Sequence, residues 1–468
     1  MSKDNNFLKG AAILGMAGVI VKILGALYRL PLSNIISDEG MGYYQTAYPF
    51  YQLLLTLSTA GFPVAIAKLV SNKRAIGDHR SAYKVFLVAL VGLIIGGILT
   101  SLFIAVGARP IVESLGNSNA YYSLIALVPA LFFVPIMAAF RGFFQGRQTM
   151  IPTAISQITE QLFRVIFGLS LTILLINKGI PIAAGGASFG GSAGAIAGTA
   201  IMFYIYLKNK NEIHKEIASG TIDKKYPVNE IIKDLLMIAI PITIGSAIAP
   251  IMDTIDTGLV LNRLQSINYT EKAANALFGQ LKGMAQTLIN LPQVFSVAIA
   301  MSLVPSISDA HARNKKNEIK ETISSGVRIT LLIGLPCAFG LFVLSTPIIE
   351  LLYFNNPIET INSTGEILAY LSFGVIFLTL VQTLTAILQG LGRPFIPVKN
   401  LALGALVKVI LTYVLTAIPA INIKGAAIST VAAYAIAATL DFVDMARLTK
   451  IKFNYFNIIT KPLISAVG

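Results

Sequence analysis

Eight charged side chains stand where charge is costly: Lys22, Arg29, Arg164, Lys282, Arg328 and Lys408, with Asp253 and Asp256, all fall inside long apolar runs. A charge at the centre of a bilayer costs at least about 2.5–3.5 kcal/mol, so each should face a bundle interior, a partner or water. Lys22 and Arg29 are seven apart, two helical turns, and share one helix face. Arg328 lies near the polar end of its run, where its stem can snorkel. Glu160 precedes Arg164 by four residues and could neutralise it, which leaves a structural and a cavity role evenly open. Lys408 has no acid close in sequence, which favours a cavity-facing role. Asp253 and Asp256, three apart, are neighbours on one face. They are candidates for binding Na⁺ or H⁺ within the membrane, or equally for pairing with Lys22, Arg29 or Lys282. Asp441 and Asp444, at the polar end of another run, read as interfacial.

Other chemistry is sparse. His79, His214 and His311 lie far apart in polar gaps, without metal-ligand spacing, and Cys337 is the single cysteine, so no intrachain disulfide is possible. The Gly-rich run 185–198 lacks the Gly-Lys-Ser/Thr ending of a phosphate loop and reads as a helix-packing surface. No nucleotide motif, cofactor site or soluble enzyme domain is evident.

The elements that must position these charges follow from composition. Of 468 residues, 55% are hydrophobic and 12% charged, with a mean hydropathy of +0.73; soluble domains carry about 25% charged residues. The excess of 36 Lys and Arg over 22 Asp and Glu would point to nucleic acid in a soluble protein. Here the basic residues sit mostly in short gaps between apolar runs, which is how a bilayer protein sets its orientation. Segments of about 20 apolar residues place spans near 8–32, 42–70, 84–108, 119–144, 152–177 and 185–207. Six more lie near 231–261, 276–305, 323–352, 365–389, 396–419 and 424–446. The N-terminus has no cleavage-site pattern after a short apolar stretch and reads as a retained first span. With that end inside, 24 Lys and Arg occupy inner gaps and five occupy outer ones (Arg109, Lys178, Arg263, Lys272 and Lys424). The bias supports twelve spans with a cytoplasmic N-terminus.

The halves repeat. Val64–Ala67 recurs at Val297–Ala300, Pro110–Glu113 at Pro347–Glu350, Gln145-Gly146 at Gln389-Gly390, and Gly194–Thr199 at Gly425–Thr430. Arg164 and Lys408 each stand nineteen residues past the corresponding Gln. With six spans per half the repeat is parallel, a plan of transporters with a substrate site between two lobes. The expected organisation is an N-lobe at 1–207, a cytoplasmic loop at 208–230, a C-lobe at 231–449, and the start of a truncated thirteenth helix at 450–468. Surplus intramembrane Lys and Arg suit an anionic substrate and apolar lobes suit a lipid tail, so a diphosphate-bearing lipid fits both.

The residues also carry a family pattern. Lys22–Gly25 with Tyr28–Leu32, Gly42–Gln45 with Ala47–Pro49, Ser58–Lys68, Leu291-Pro292 and Ser302–Ser308 resemble the stage V sporulation protein B group. That group belongs to the polysaccharide-exporter branch of the MOP superfamily, alongside the MurJ lipid II flippases, and the resemblance covers essentially the whole chain. It implies an all-α, V-shaped, two-lobed multi-pass exporter, with fourteen helices in MurJ-like members. It also implies alternating access that moves an undecaprenyl-diphosphate-linked sugar from the inner to the outer leaflet. The substrate would be a lipid-linked oligosaccharide or lipid II, used for peptidoglycan or spore cortex. Basic first-helix residues line the cavity in that family, so Lys22 and Arg29, with Lys282, Arg164 and Lys408, are the candidate substrate-binding cations. Arg29 stands one position off the MurJ spacing, and Thr287 occupies a position that is basic in MurJ. The family's Na⁺-binding acid would correspond to Asp253 or Asp256, while its partner acid is not evident after Asn400. The expected drive is a Na⁺ or H⁺ gradient or the membrane potential, and the expected location the bacterial plasma membrane, with wall-synthesis proteins as partners. Two alternatives stand beside this: a cation-coupled multidrug exporter of the same superfamily, and a non-transporting wall-synthesis scaffold.

Overall fold

The computed structural model describes residues 3–220 and 226–450, with positions 456 and 461. The expected thirteenth helix lies outside the described residues. Those described form helices and connecting turns, with no strand among them. In order they are α1 (Lys3–Thr59), α2 (Phe62–Ala75), α3 (His79–Ser114), α4 (Tyr121–Ala126), α5 (Val128–Gly146), α6 (Ile151–Leu175), α7 (Ile180–Lys208) and α8 (Lys210–Ala218). Then follow α9 (Val228–Ser266), α10 (Glu271–Phe278), a π-helical segment (Gly279–Ala285), α11 (Gln286–Ile289), α12 (Gln293–Ala312), α13 (Lys316–Val343) and α14 (Ser345–Leu352). The last four are α15 (Ile358–Ser372), α16 (Gly374–Gly390), α17 (Phe395–Leu415) and α18 (Ile423–Thr449).

Ten runs are long and apolar enough to cross a membrane, and the bent pair α15–α16, angled at 43°, makes an eleventh. One of the ten, Ile13–Ala75, has 63 residues. At 1.5 Å per residue it is about three times as long as the hydrocarbon core is thick. Its backbone leaves helical geometry at Ser37 (φ 56°, ψ −169°), which divides it into two spans. Counted so, the twelve expected spans are all represented. The eighth needs correction. The expected continuous helix at 276–305 is α10, the π segment and α11, then a break at residues 290–292 and a separate α12. Pro292 sits at that break because it has no N–H to donate into a continuing helix.

Contacts group the chain into two units: Met1–Tyr28 with Thr46–Thr254, and Arg29–Gln45 with Ile255–Gly468. The division falls within α1 and α9, whereas the sequence placed it in the polar stretch 208–230.

In the first unit, Pro63, Pro129, Pro152 and Pro181 each stand in the opening turn of a helix, where a missing N–H costs nothing. Its core gathers Tyr51, Phe86, Phe140, Phe143 and Phe144. The Gly-rich run lies inside α7 and packs against α6. A Cβ at Gly194 would stand 2.3 Å from the Glu160 carbonyl oxygen, and one at Gly190 2.5 Å from that of Arg164. Only hydrogen fits there, so the run is a packing surface. Ahead of α9, Tyr226 donates to Asp234 (2.5 Å) and lies under Lys73 (3.9 Å to the ring centre). Burial, reinforced by Asp234, pushes its phenol well above the usual tyrosine range.

The second unit has its own core of Phe278, Tyr353, Ile367, Leu368 and Leu371. The segment 29–45 is fixed to it by polar bonds. Asp38 accepts from Gln280 (2.8 Å) and Thr360 (3.0 Å), and Asn34 donates to the Leu352 carbonyl (2.8 Å). A Cβ at Gly279 would stand 1.9 Å from the Asp38 carbonyl oxygen, so the close approach of these helices requires glycine.

Candidate functional site

The second unit assembles three of the residues that the sequence singled out. Asp256 is on α9, Lys282 in the π-helical segment and Lys408 on α17. One carboxylate oxygen, Asp256 Oδ2, accepts from Lys282 Nζ at 2.7 Å and from Lys408 Nζ at 2.8 Å. The Asp256 side chain is 2% exposed, and those of Lys282 and Lys408 are 13% and 14% exposed. Asp256 Oδ1 is buried with no hydrogen-bond partner. Two ammonium groups thus share one carboxylate oxygen in a largely buried place. Of the alternatives for Asp256, pairing with Lys282 is the one observed. Lys408, without an acid nearby in sequence, finds one 152 residues away.

The π-helical segment presents Lys282. Winding of this kind is rare and is frequently found at functional sites. The Lys282 carbonyl accepts from Gln45 Nε2 (2.8 Å). One turn on, Thr287 donates to the Gly283 carbonyl (2.7 Å), while its hydroxyl accepts a long bond from Arg29 (3.4 Å). Arg29 thus reaches the position that is basic in the resembling family.

The first unit holds a second arrangement of the same charge. Glu160 binds Arg164 on its own helix at 3.3 Å, as the four-residue spacing anticipates, and also binds Arg141 of α5 at 3.0 Å. Arg141 Nε donates in addition to Ser156 Oγ (2.8 Å). All three charged side chains are less than one-fifth exposed, and again two cations share one anion. Arg141 lies inside α5, within the fourth expected span. Lys22 is exposed on α1, Asp253 on α9 and Arg328 on α13.

A further cluster in the second unit escaped the sequence. Asn400 Nδ2 on α17 donates to Asp441 Oδ1 and Asp444 Oδ2 of α18, each at 2.9 Å. Asp441 is fully buried against neighbouring helices and its Oδ2 has no partner among the described residues. The three-residue spacing of the two acids on one helix face was the available signal. Among the described residues no group of three or more His, Cys, Asp or Glu could hold a metal ion.

Comparison with known proteins places these charges in context. The family model described as polysaccharide biosynthesis protein matches residues 7–311, and the MatE model matches 282–414. The chain is 34% identical to the uncharacterized membrane protein YabM of Bacillus subtilis (strain 168), over 93% of this chain and 79% of that one. It is 30% identical to stage V sporulation protein B of the same organism (91% and 80%), and 26% identical to its lipid II flippase MurJ (95% and 83%). Among solved structures, an inward-facing multidrug resistance MATE family transporter of the MOP superfamily superposes with TM-score 0.77 at 13% identity, covering 96% of this chain and 98% of that one. Lipid II flippase MurJ in an inward closed conformation gives 0.71 at 16% identity (97% and 90%).

Proposed function

The chain belongs to the polysaccharide biosynthesis protein family, and from that premise we propose that it is a membrane transporter of the MOP superfamily, a flippase for a polyprenyl-diphosphate-linked cell-wall precursor. The cargo is lipid II or a relative, carried from the inner to the outer leaflet by alternating access. The carrying observation is the Asp256–Lys282–Lys408 group, which holds two ammonium groups beside one carboxylate among apolar helices. A hydrophobic isostere would be a cheaper filling for that space than three ions. Charge retained at such cost serves an anionic cargo, and Lys and Arg are the residues that bind diphosphate. Lys22 and Arg29 add cationic binding positions on the first helix. The drive is an ion gradient or the membrane potential, with Asp253 as the candidate coupling acid, Asp256 being paired with Lys282 and Lys408. The protein sits in the bacterial plasma membrane with its N-terminus in the cytoplasm, and serves peptidoglycan or spore cortex synthesis.

The test is the leaflet distribution of lipid II in cells depleted of the protein. Depletion should trap the precursor on the inner leaflet, and a Lys22→Ala/Arg29→Ala chain should fail to restore it. Full restoration by that variant would remove the cavity assignment. A second reading, cation-coupled multidrug export, draws on the 0.77 superposition with a MATE transporter. Cationic drugs call for carboxylates at the binding surface, and in both buried clusters described the carboxylate is already taken by two cations. Unchanged drug susceptibility on deletion would dispose of it.

A further inference from the structure

Both units have a recess at the end of the helices that the loop charges assign to the cytoplasm, and among the described residues only one recess is filled. In the first unit the recess lies between the α2–α3 turn and the end of α5, lined by Arg74, His79, Tyr83, Phe143 and Arg147. Helix α8 occupies it. Ile213 is buried there, and Glu216 binds Arg147 at 2.6 Å and Arg74 at 3.0 Å. Glu212 adds a longer contact to Arg147 at 3.6 Å. The space that remains is about 10 Å³.

In the second unit the corresponding recess lies between the α12–α13 turn and the end of α16. His311, Lys316 and Arg393 provide its basic groups, and Ile319, Leu391 and Leu448 its apolar ones. It is open, with a volume of about 500 Å³. Arg393 follows the Gln389-Gly390 repeat as Arg147 follows Gln145-Gly146, so the two recesses are built from matching parts of the duplicated sequence. No acid is among the residues lining the open one. Residues 451–468, which follow α18 as α8 follows α7, contain Lys452 and Lys461 and no Asp or Glu. They cannot supply the carboxylates that α8 brings to the first recess.

We propose that the open recess is a docking site for an acidic amphipathic helix of a cytoplasmic partner protein, with two carboxylates one turn apart beside branched aliphatic side chains. The occupant's chemistry is read from the filled recess, where Glu212, Ile213 and Glu216 meet an equivalent basic and apolar lining. Such a helix lays its apolar side chains into a groove, anchored at i, i+3 and i+4 spacing. The basic rim speeds encounter with an acidic partner and sets its register.

A labelled peptide spanning residues 209–220 is a usable probe, because the first recess is already held by its tethered copy. It is titrated onto the full chain in nanodiscs of neutral phosphatidylcholine, read by fluorescence anisotropy. Saturable binding is expected, weakened at least about tenfold by Lys316→Glu/Arg393→Glu and regained when the peptide's Glu212 and Glu216 are changed to Lys. Both substituted side chains are exposed, and an unchanged thermal midpoint verifies that the variant folds. Equal binding to parent and variant would overturn the proposal. So would the absence of peptide binding together with phosphatidylglycerol retention that the double variant loses, which would assign the recess to a lipid phosphate.

Discussion

Replacing Asp256 with Asn should destabilise the second unit far more than replacing either lysine. Lys282 and Lys408 bond the same oxygen at 2.7 and 2.8 Å, so their nitrogens lie no more than about 5.5 Å apart. With the carboxylate gone, two ammonium groups at that separation repel by about 3 kcal/mol at an effective dielectric near 20. That agrees with the roughly 3–5 kcal/mol lost when one partner of a buried ion pair is removed. For a unit of some 230 residues, each kcal/mol moves the thermal midpoint by about 2–4 °C, so Asp256→Asn should lower it by at least about 6 °C. Lys408→Met leaves a one-to-one Asp256–Lys282 pair and should cost under about half as much. The decisive measurement is the double-mutant cycle on detergent-solubilised protein. Lys408→Met in the Asp256→Asn background should recover stability, because it removes the repulsion. A midpoint for Asp256→Asn within about 2 °C of the parent, or strict additivity in the cycle, would refute the reasoning.

Gly194→Val should drive its side chain into the Glu160 carbonyl, which already lies 2.3 Å from the Cβ position. Overpacking of that kind costs about 1–3 kcal/mol or more, whereas Gly92→Ala meets nothing within 4 Å and should be neutral or stabilising by up to about 1 kcal/mol; paired thermal melts check both. Asn400→Leu takes the shared donor from Asp441 and Asp444, and hydrogen bonds to charged groups contribute about 1.5–3 kcal/mol. The same melts should register a loss of that size, and an unchanged midpoint would mean that the amide does not hold the two acids together.

How far the sequence reached depends on the range of the interaction. The spans and their alternation follow from local hydropathy, and Glu160–Arg164 follows from helical spacing. The Ser37 break falls in the gap at 33–41 that the sequence left between the first two spans, where Ser33, Asn34, Asp38 and Glu39 interrupt the apolar pattern. The break before Gln293 was signalled by Pro292, but the helix was read through it. The π-helical winding at Lys282 has no compositional signature. The partner of Lys408 was out of reach for a plainer reason: α9 and α17 are brought together by tertiary packing, and nothing within a helical turn of either residue points to the other.

The duplicated charge arrangement narrows what matters about it. Arg164 and Lys408 occupy matching repeat positions, and each shares a carboxylate with a second cation. The wiring nevertheless differs. In the first unit the acid is four residues away on the same helix and the second cation is on α5. In the second unit the acid comes from α9 and the second cation from the π-helical segment. If the ion pairs served only to hold helices together, nothing would require each carboxylate to take two cations; a one-to-one pair would bind as well at lower cost. What the two sets share is a pair of cations on one acid, so function should follow the charge of those cations rather than pairing geometry. Lys408→Arg, which preserves the charge but changes the donor geometry, should keep most of the ability to restore lipid II to the outer leaflet in depleted cells. Lys408→Met, which leaves Asp256 paired with Lys282 and removes the second cation, should abolish it while keeping the protein folded. Equal restoration by the two variants would show that the Lys408 charge has no part in transport.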